Sequence, residues 1–265
     1  MRYKLLAVDM DGTLLDSGNN IRERTLAALD KARDAGLILT IATGRSAQGV
    51  EMYGDLLRLD SPIIVYNGAM IVMPRDGKVL QEIKLEERAA SDIIAYGKKF
   101  DPTVCVWSDN QLYIFEISER IDFYAGLAGI TPKIINDEAA LIRQGITKIL
   151  WYDEADNIEK YQNELEKELR SNVTFCTSSP NFLEFFSGGA SKGHALKFLG
   201  EQYCIGPSEM IAIGDGMNDL SMIEYAGLGV AMANAPEELK RAADFVTLSN
   251  DEDGVAHAID TYVLS

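Results

Sequence analysis

Short apolar runs that each stop at a small polar motif constrain the fold of this chain most strongly. Continuous apolar runs of this length are typical of strands buried on both faces of a parallel sheet. The predicted strands at the two ends of the chain are residues 3–8, 37–42, 63–66, 210–213, 228–232 and 245–248. Helical patterns alternate with them, at residues 21–35, 192–203, 218–225, 236–242 and from about 252 onward. This alternation predicts an α/β fold with a doubly wound, Rossmann-like parallel sheet.

The middle of the chain follows another pattern. Two predicted strands, 103–107 and 112–116, are joined by Asp109-Asn110, a dipeptide that favours hairpin turns. Further strands are expected at 146–152, 173–177 and 182–186, and helices at 86–100, 119–128 and 157–169, the last begun by a capping box of Asp156 and Glu159. Hairpins mixed with helices predict an α+β unit. We therefore predict a core domain made of residues 1–81 and 189–265, with an α+β domain of residues 82–188 inserted into it.

Composition excludes several classes of protein. With 265 residues, 47% of them hydrophobic, the chain can bury a core without disulfide or metal staples. The net charge is −16 and no basic stripe is present, which disfavours binding to nucleic acid or to an anionic membrane. Three scattered cysteines form no CxxC pair, so we expect no zinc or iron–sulfur site and a reducing compartment. The first apolar run stops at Asp9 and Asp11, and no window approaches the roughly 20 apolar residues of a membrane span. We expect a cytoplasmic protein, and nothing in the sequence implies a protein partner.

The first polar motif is Asp9-Met10-Asp11-Gly12-Thr13-Leu14, directly after the first predicted strand. On an extended chain, residues i and i+2 point to the same side, roughly 7 Å apart. Two such carboxylates can divide the work, one as nucleophile and the other as proton donor and acceptor. A bare Asp-x-Asp is more often a solvated turn. The full motif after a buried strand favours the catalytic interpretation.

Two further motifs are suited to binding an anion. Thr43-Gly44-Arg45 follows the second strand, and a hydroxyl, freed backbone amides and a guanidinium can hold phosphate oxygens. Ser191-Lys192-Gly193 begins a predicted helix, where the helix dipole already favours an anion. Each of these motifs alone is weak evidence, since a turn before a capped helix has much the same composition.

The fourth motif, Gly214-Asp215-Gly216-Met217-Asn218-Asp219, follows the strand at 210–213. Ligand sites of open α/β sheets lie beyond the carboxyl ends of the strands, so all four motifs can reach one crevice. Acidic residues gathered there would repel one another unless a divalent cation is bound, and oxygen ligands suit Mg²⁺.

Together, the four motifs resemble those of the haloacid dehalogenase (HAD) superfamily, specifically the Cof-like phosphatases with an inserted cap domain. The resemblance covers the whole chain, in the family order, and Asn67-Gly68-Ala69 also fits. It implies a phosphoric monoester hydrolase, acting on a small phosphorylated metabolite with Mg²⁺ as cofactor. The inserted domain, residues 82–188, would be the cap that gives substrate selectivity.

The resemblance also implies roles for individual residues. Asp9 would be the nucleophile that becomes an aspartyl phosphate, and Asp11 the general acid and base. The metal site would comprise Asp9, Asp11 through its backbone carbonyl, and Asp215, with Asp219 supporting it from nearby. The phosphoryl group would be bound by Met10, Thr43, Gly44, Arg45, Lys192 and Asn218.

Two alternatives remain open on the sequence. A phosphomutase of the same superfamily would need its cap to accept a second phosphate, whereas residues 82–188 carry 11 basic and 19 acidic side chains. A phosphorylation-dependent signalling module also combines carboxylates, a Thr and a Lys around magnesium, but such modules are much shorter and carry no cap. Sugar phosphates and other phosphorylated metabolites are equally compatible with the motifs as substrates.

Overall fold

The computed structural model describes residues 2–169 and 172–263 and divides the chain into two compact units. Unit 1 comprises Met1–Thr43, Tyr53–Leu80 and Ser191–Ser265. Unit 2 comprises Gly44–Met52 and Gln81–Ala190. The core predicted from the sequence includes residues 44–52, whereas by their contacts these residues group with unit 2.

Among the described residues, unit 1 contains a five-stranded parallel sheet in the order β14-β13-β12-β1-β2. Its strands are β1 (Leu5–Val8), β2 (Ile38–Ile41), β12 (Met210–Gly214), β13 (Leu228–Ala231) and β14 (Phe245–Val246). The chain leaves β1 towards β2 on one side and returns to β12 on the other. The strand order therefore reverses between β1 and β12, which is the place where doubly wound sheets bind ligands.

Helices cover this sheet because alternate strand side chains point to opposite faces. The helices of unit 1 are α1 (Glu23–Asp34), α3 (Gly54–Leu57), α8 (Lys192–Tyr203), α9 (Leu220–Tyr225), α10 (Glu237–Ala242) and α11 (Gly254–Tyr262). Leu5 and Ala7 of β1 share one buried cluster with Leu196 of α8 and Met222 of α9. Full burial of a leucine such as Leu5 contributes about 1.5–3 kcal/mol. The predicted α/β fold is confirmed.

A small second sheet follows β2 along the chain. It contains β3 (Ile63–Val65), β4 (Met70–Val72) and β5 (Val79–Glu82), and β3 and β4 pair antiparallel. A single bridge from Ala42 to Ile64 sets β3 beside the end of β2. The apolar run at 63–66 predicts β3, whereas β4 and β5 were not predicted from the sequence.

Unit 2 is built on a six-stranded sheet in the order β10-β11-β9-β6-β7-β8, antiparallel except between β7 and β8. Its strands are β6 (Thr103–Ser108), β7 (Gln111–Ile114), β8 (Lys133–Ile134), β9 (Lys148–Tyr152), β10 (Val173–Ser179) and β11 (Phe182–Ser187). Its helices are α2 (Ala47–Glu51), α4 (Glu87–Phe100), α5 (Glu119–Ala128), α6 (Glu138–Gln144) and α7 (Ala155–Glu168). The core of this unit packs α4 and α7 against the sheet around the fully buried Trp151. The sheet and its helices confirm the predicted additional α+β domain.

Two local predictions for unit 2 have different outcomes. Asp109 and Asn110 have φ values of +47° and +57°, as the predicted hairpin turn requires. The predicted capping box of Asp156 and Glu159 is wrong, because helix α7 begins earlier, at Ala155 after Glu154, and Asp156 lies in its first turn.

In the part of the chain that the structure describes, no helix has the length and apolar character needed to cross a membrane.

Candidate active site

The loop after β1 sets two carboxylates in unlike surroundings. The Asp9 N–H donates to the carbonyl oxygen of Ile213 at 3.0 Å, which prolongs the pairing of β1 with β12. Asp9 is only 5% exposed, whereas Asp11, two residues later, is exposed. The chain turns between them and beyond, and Gly12 takes a φ of +76° that favours glycine. Met10 is fully buried, so its predicted contact with phosphate would have to come from its backbone.

Lys192 lies at the first position of α8 and is fully buried. Its Nζ donates to Asp9 Oδ1 at 2.6 Å and to Asp219 Oδ1 at 2.5 Å. Burial alone would lower the pKa of Lys192, but the two carboxylates outweigh it and raise that pKa. The lysine is therefore a fixed cation between two acidic side chains.

Burial by itself lowers the pKa of the lysine but raises the pKa of Asp9, the acid that faces it. Removal from water raises the pKa of Asp9 well above its usual range, Asp219 adds to that rise, and Lys192 opposes it. An additional cation at this point would favour the ionised form that a nucleophile requires.

The loop after β12 supplies two more carboxylates. Both oxygens of the buried Asp219 accept hydrogen bonds: Oδ1 from Lys192, and Oδ2 from the backbone N–H groups of Asp215 (3.0 Å) and Gly216 (2.9 Å). Asp215 Oδ1 accepts from the Thr13 hydroxyl at 2.8 Å. Burial is the main cause that raises the pKa of Asp215 to about 6.

These carboxylates fit a divalent cation. Asp9, Asp215 and Asp219 can each bring one oxygen within 4.8 Å of the other two. These three acidic groups lie near the ammonium of Lys192, and oxygen donors of this kind are those that Mg²⁺ prefers. Asp219 is fully buried and its two oxygens accept three hydrogen bonds, whereas Asp215 is partly exposed and each of its oxygens accepts one, so Asp9 and Asp215 are the better direct ligands.

A second cluster joins the ends of β2 and β3 to the start of α8. Thr43 is buried, and its carbonyl oxygen accepts from the N–H of Asn67 at 3.0 Å. Asn67 Oδ1 in turn accepts from Asn218 Nδ2 at 2.9 Å. Gly68 has a φ of +94°, and a Cβ there would lie 2.2 Å from the carbonyl oxygen of Ser191. Only glycine therefore lets this loop reach the first turn of α8.

The remaining predicted phosphate ligands, Gly44 and Arg45, belong to unit 2 by their contacts. The carbonyl oxygen of Gly44 accepts from Lys148 Nζ at 3.3 Å, and Arg45 Nη1 donates to the Gly49 carbonyl at 3.3 Å. Unit 1 brings together the other predicted site residues, namely Asp9, Met10, Asp11, Thr43, Lys192, Asp215, Asn218 and Asp219. Their individual roles stay predictions.

Two residues of this site were not predicted from the sequence. Thr13 belongs to the first motif, and its hydroxyl binds the carboxylate of Asp215. Asn234 follows β13, and its Nδ2 donates to the Gly12 carbonyl and to Asp215 Oδ2. The available signal is its position after a third buried strand, at the carboxyl end of the sheet.

Comparison with known proteins agrees with this geometry. The family described as haloacid dehalogenase-like hydrolases matches residues 6–259. The chain belongs to this family. The predicted family, and with it the predicted class of enzyme, a HAD-type phosphatase, is confirmed.

Two relatives from Bacillus subtilis align over nearly the whole chain. YxeH, which is named provisionally as a phosphatase, is 34% identical over 268 residues, 99% of each chain. YcsE, named as a 5-amino-6-(5-phospho-D-ribitylamino)uracil phosphatase, is 32% identical over 265 residues, covering 98% of this chain and 96% of its own. The crystal structure of a haloacid dehalogenase-like hydrolase from Bacteroides thetaiotaomicron has a TM-score of 0.86 at 32% identity, over 98% of this chain and 99% of that one.

Proposed function

We propose that this HAD-like enzyme hydrolyses small phosphate monoesters with the help of Mg²⁺, through an aspartyl phosphate on Asp9. The observation that carries the proposal is the position of Asp9. It lies at the reversal of strand order, 2.6 Å from a buried lysine and beside two further carboxylates. Charge spreads over the phosphoryl oxygens in the transition state, so fixed cations around an anionic nucleophile supply most of the catalysis.

Asp9 attacks phosphorus, and the bond from phosphorus to the leaving oxygen breaks. Asp11 gives its proton to that oxygen and then takes a proton from the water that hydrolyses the aspartyl phosphate. The exposure of Asp11 supports this role, since a group that exchanges protons with leaving alcohol and water must be accessible.

Mg²⁺, when bound, would neutralise charge between the anionic nucleophile and the anionic substrate. Asp9 and Asp215 would hold it directly, together with the backbone carbonyl of Asp11, and Asp219 would fix Lys192 and the loop that carries Asp215.

The phosphoryl oxygens would be bound by Lys192, by the Thr43 hydroxyl, by Asn218 and by the backbone at Met10. Gly44 and Arg45, which belong to unit 2, stay predicted phosphate ligands. Asn67 supports the assignment, because it bonds to both Thr43 and Asn218 and so fixes their spacing.

The substrate class is a phosphorylated small metabolite, such as a sugar phosphate. The relative YcsE is named for a substrate whose phosphate sits on a ribityl chain, and we propose leaving groups of this polyol kind. Phosphate is common to all monoesters, so its ligands cannot select among leaving groups. We therefore propose residues 82–188 as the selecting domain, and the cytoplasm, where such metabolites occur, as the location.

The test is phosphate release from a panel of phosphorylated metabolites by the wild type and by Asp9→Asn. We expect kcat to fall on the order of 10³-fold or more, the scale seen when a nucleophile is removed. The fold should persist, since the change is nearly isosteric and Asn keeps an oxygen for Lys192. Asp30→Asn, which alters surface ion pairs with Arg33 and Arg58, is the matched control and should stay fully active.

Substantial turnover by Asp9→Asn would contradict the proposal. Conversion of a hexose phosphate into an isomer, without free phosphate, would indicate a phosphomutase. An aspartyl phosphate that lasts for minutes would indicate a signalling module.

A further inference from the structure

A side-chain amide outside the four predicted motifs contacts the acidic site. Asn234 lies in the loop after β13, the strand next to β12. Its Nδ2 donates to the carbonyl oxygen of Gly12 at 2.8 Å and to Asp215 Oδ2 at 3.3 Å. One nitrogen thus connects the loop after β1 with the loop after β12.

The orientation of this amide is fixed from its other end. Asn234 Oδ1 accepts from the backbone N–H of Asn250 at 3.2 Å, which directs Nδ2 towards the acidic loops. Asn250 is itself held by a hydrogen bond of 2.9 Å from its Nδ2 to the carbonyl oxygen of Leu15. These hydrogen bonds form a continuous chain from Gly12 through Asn234 and Asn250 to Leu15, and both ends of this chain lie in the loop after β1.

Asn234 and Thr13 together hold the carboxylate of Asp215. Thr13 donates to Oδ1 and Asn234 donates to Oδ2, so each oxygen has a donor and rotation of the group is restricted. Gly12 lies against the same carboxylate, since a Cβ on Gly12 would be 2.3 Å from Asp215 Oδ2. The Gly12 carbonyl and the carboxylate both present negative charge, and a shared N–H donor group reduces their repulsion.

The chemistry of asparagine is specific to this arrangement. Its amide offers two N–H donors and one acceptor, which matches the three partners found here. Aspartate has the same shape but no donor, and it would add a negative charge beside Asp215.

We propose that Asn234 is a positioning residue for the metal site, which sets the carboxylate of Asp215 and the Gly12 peptide in the geometry that Mg²⁺ binding requires. The inference rests on the proposed function, because it concerns the metal of that reaction. Loss of a partner that orients a metal ligand typically lowers metal affinity about 10–100-fold. The hydrogen bonds of Asn234 go to Gly12, Asp215 and Asn250, so its effect on the chemical step itself should be small once metal is saturating.

The experiment is a calorimetric titration of Mg²⁺ into substrate-free enzyme, for the wild type, Asn234→Ala and Asn234→Leu. Both variants should bind Mg²⁺ at least tenfold more weakly, and their kcat should approach the wild-type value at saturating Mg²⁺. Asn20→Ala is the matched control, because Asn20 also bonds a backbone carbonyl, that of Gly18, in an exposed loop. It should bind Mg²⁺ like the wild type.

Wild-type Mg²⁺ affinity in both Asn234 variants would overturn the inference. So would a lower melting temperature in metal-free buffer with unchanged affinity, because that pattern belongs to a purely structural residue. A wild type that binds no Mg²⁺ would contradict the proposed function itself, and the inference about Asn234 would then be wrong as well.

Discussion

At the residue scale, Asp9 and Asp11 are separated by one residue but differ in their exposure to water. Asp9 is buried against an ammonium, and Asp11 is exposed to water. Burial favours the neutral form of Asp9, so Asp9 depends on nearby cations for its charge, whereas Asp11 is accessible to water. The division of labour that we propose for these two identical side chains rests on this difference in their surroundings.

Another carboxylate, Asp153, has a structural task in unit 2. It accepts from Arg120 of α5 at 2.9 Å and from the Tyr161 hydroxyl of α7 at 2.8 Å, and also from Asn157. Burial would raise the pKa of Asp153, but these donors and the backbone N–H of Glu154 outweigh it and lower that pKa. The ionised carboxylate thus joins two helices to the end of β9.

Replacing this carboxylate should destabilise the protein. We expect Asp153→Ala to lower the free energy of unfolding by about 2–4 kcal/mol, since hydrogen bonds to a charged group contribute about 1.5–3 kcal/mol each and are not fully additive. A lowered folded-state pKa means that the contribution is complete above the unfolded value of about 4 and is lost as pH falls through the lower folded one. Urea unfolding at pH 7 and pH 3 measures both effects.

Asp156→Ala is the matched control for this prediction, because Asp156 is exposed in the first turn of α7. It loses only an interaction with the helix dipole, about 0.3–1 kcal/mol. Equal losses in the two variants, or a gap that widens in acid, would contradict the role of Asp153.

At the scale of elements, a left-handed loop supports the start of α8. Asn67 and Gly68 have φ values of +55° and +94°, and Gly68 lies directly against the Ser191–Lys192 peptide. The first turn of α8 carries Lys192 to the acidic site. The position of the lysine therefore depends on a loop more than 120 residues earlier in the chain.

Gly68→Ala should disturb both stability and catalysis. A Cβ there meets backbone at 2.2 Å and also enforces an unfavourable φ, so we expect a loss of about 2–5 kcal/mol. Displacement of Lys192 should lower kcat in the molecules that remain folded. Thermal unfolding and steady-state kinetics at a permissive temperature measure the two effects.

Gly77→Ala separates the two causes. Gly77 has a φ of +68° with no atom within 4 Å of a Cβ, among the residues that the structure describes. It should cost about 1 kcal/mol or less and leave kcat unchanged. A similar loss in both variants would show that the contact with Ser191 carries no weight.

Elements with a strong periodic signal were predictable. Helix 192–203 has the predicted bounds, and the strand at 210–213 is prolonged by one residue, because burial on both faces leaves a continuous apolar run. Strand β4 has only three residues and follows a left-handed turn at Asn67 and Gly68; because Asn-Gly is typical of hairpin turns, this strand could have been predicted from that dipeptide and the apolar residues after it. The capping box failed because Asp153 and Glu154 precede the helix, and the sequence offers several acidic residues for one position.

At the scale of the whole molecule, the strand order explains why the site was largely predictable. Asp9 and Asp215 end the two strands at the reversal, so any doubly wound sheet brings them together. Asn234 was not predictable in the same way. Its contact depends on the path of a loop and on a backbone N–H group of Asn250, and neither has a signature in the sequence.

Metal should stabilise the molecule measurably. Mg²⁺ at 100 times its dissociation constant adds about 2.7 kcal/mol to the folded state, which corresponds to roughly 5–10 °C in melting temperature. Chelator should remove this shift together with activity. Ca²⁺ should restore activity poorly, because it accepts more ligands at longer distances.

Asp215→Asn tests whether the shift arises at this site. The variant keeps the shape of the side chain but loses the charge, so its melting temperature should respond weakly to Mg²⁺. An equal response of the melting temperature to Mg²⁺ in variant and wild type would mean that the metal binds elsewhere. Full wild-type activity in excess chelator would mean that the reaction needs no metal.

The grouping of residues 44–52 with unit 2 has a consequence for engineering chimeras. Gln48 Nε2 donates to the carbonyl oxygen of Asn110, and Lys148 Nζ donates to the carbonyl oxygen of Gly44. Residues 44–52 are therefore hydrogen-bonded to the inserted domain. A graft that transplants only residues 81–190 from a relative would replace Asn110 and Lys148 and leave their partners, Gln48 and Gly44, behind. Transplanting both stretches keeps the contacts intact and adds two junctions, one at the Met52–Tyr53 peptide and one at the Thr43–Gly44 peptide, which joins two predicted phosphate ligands.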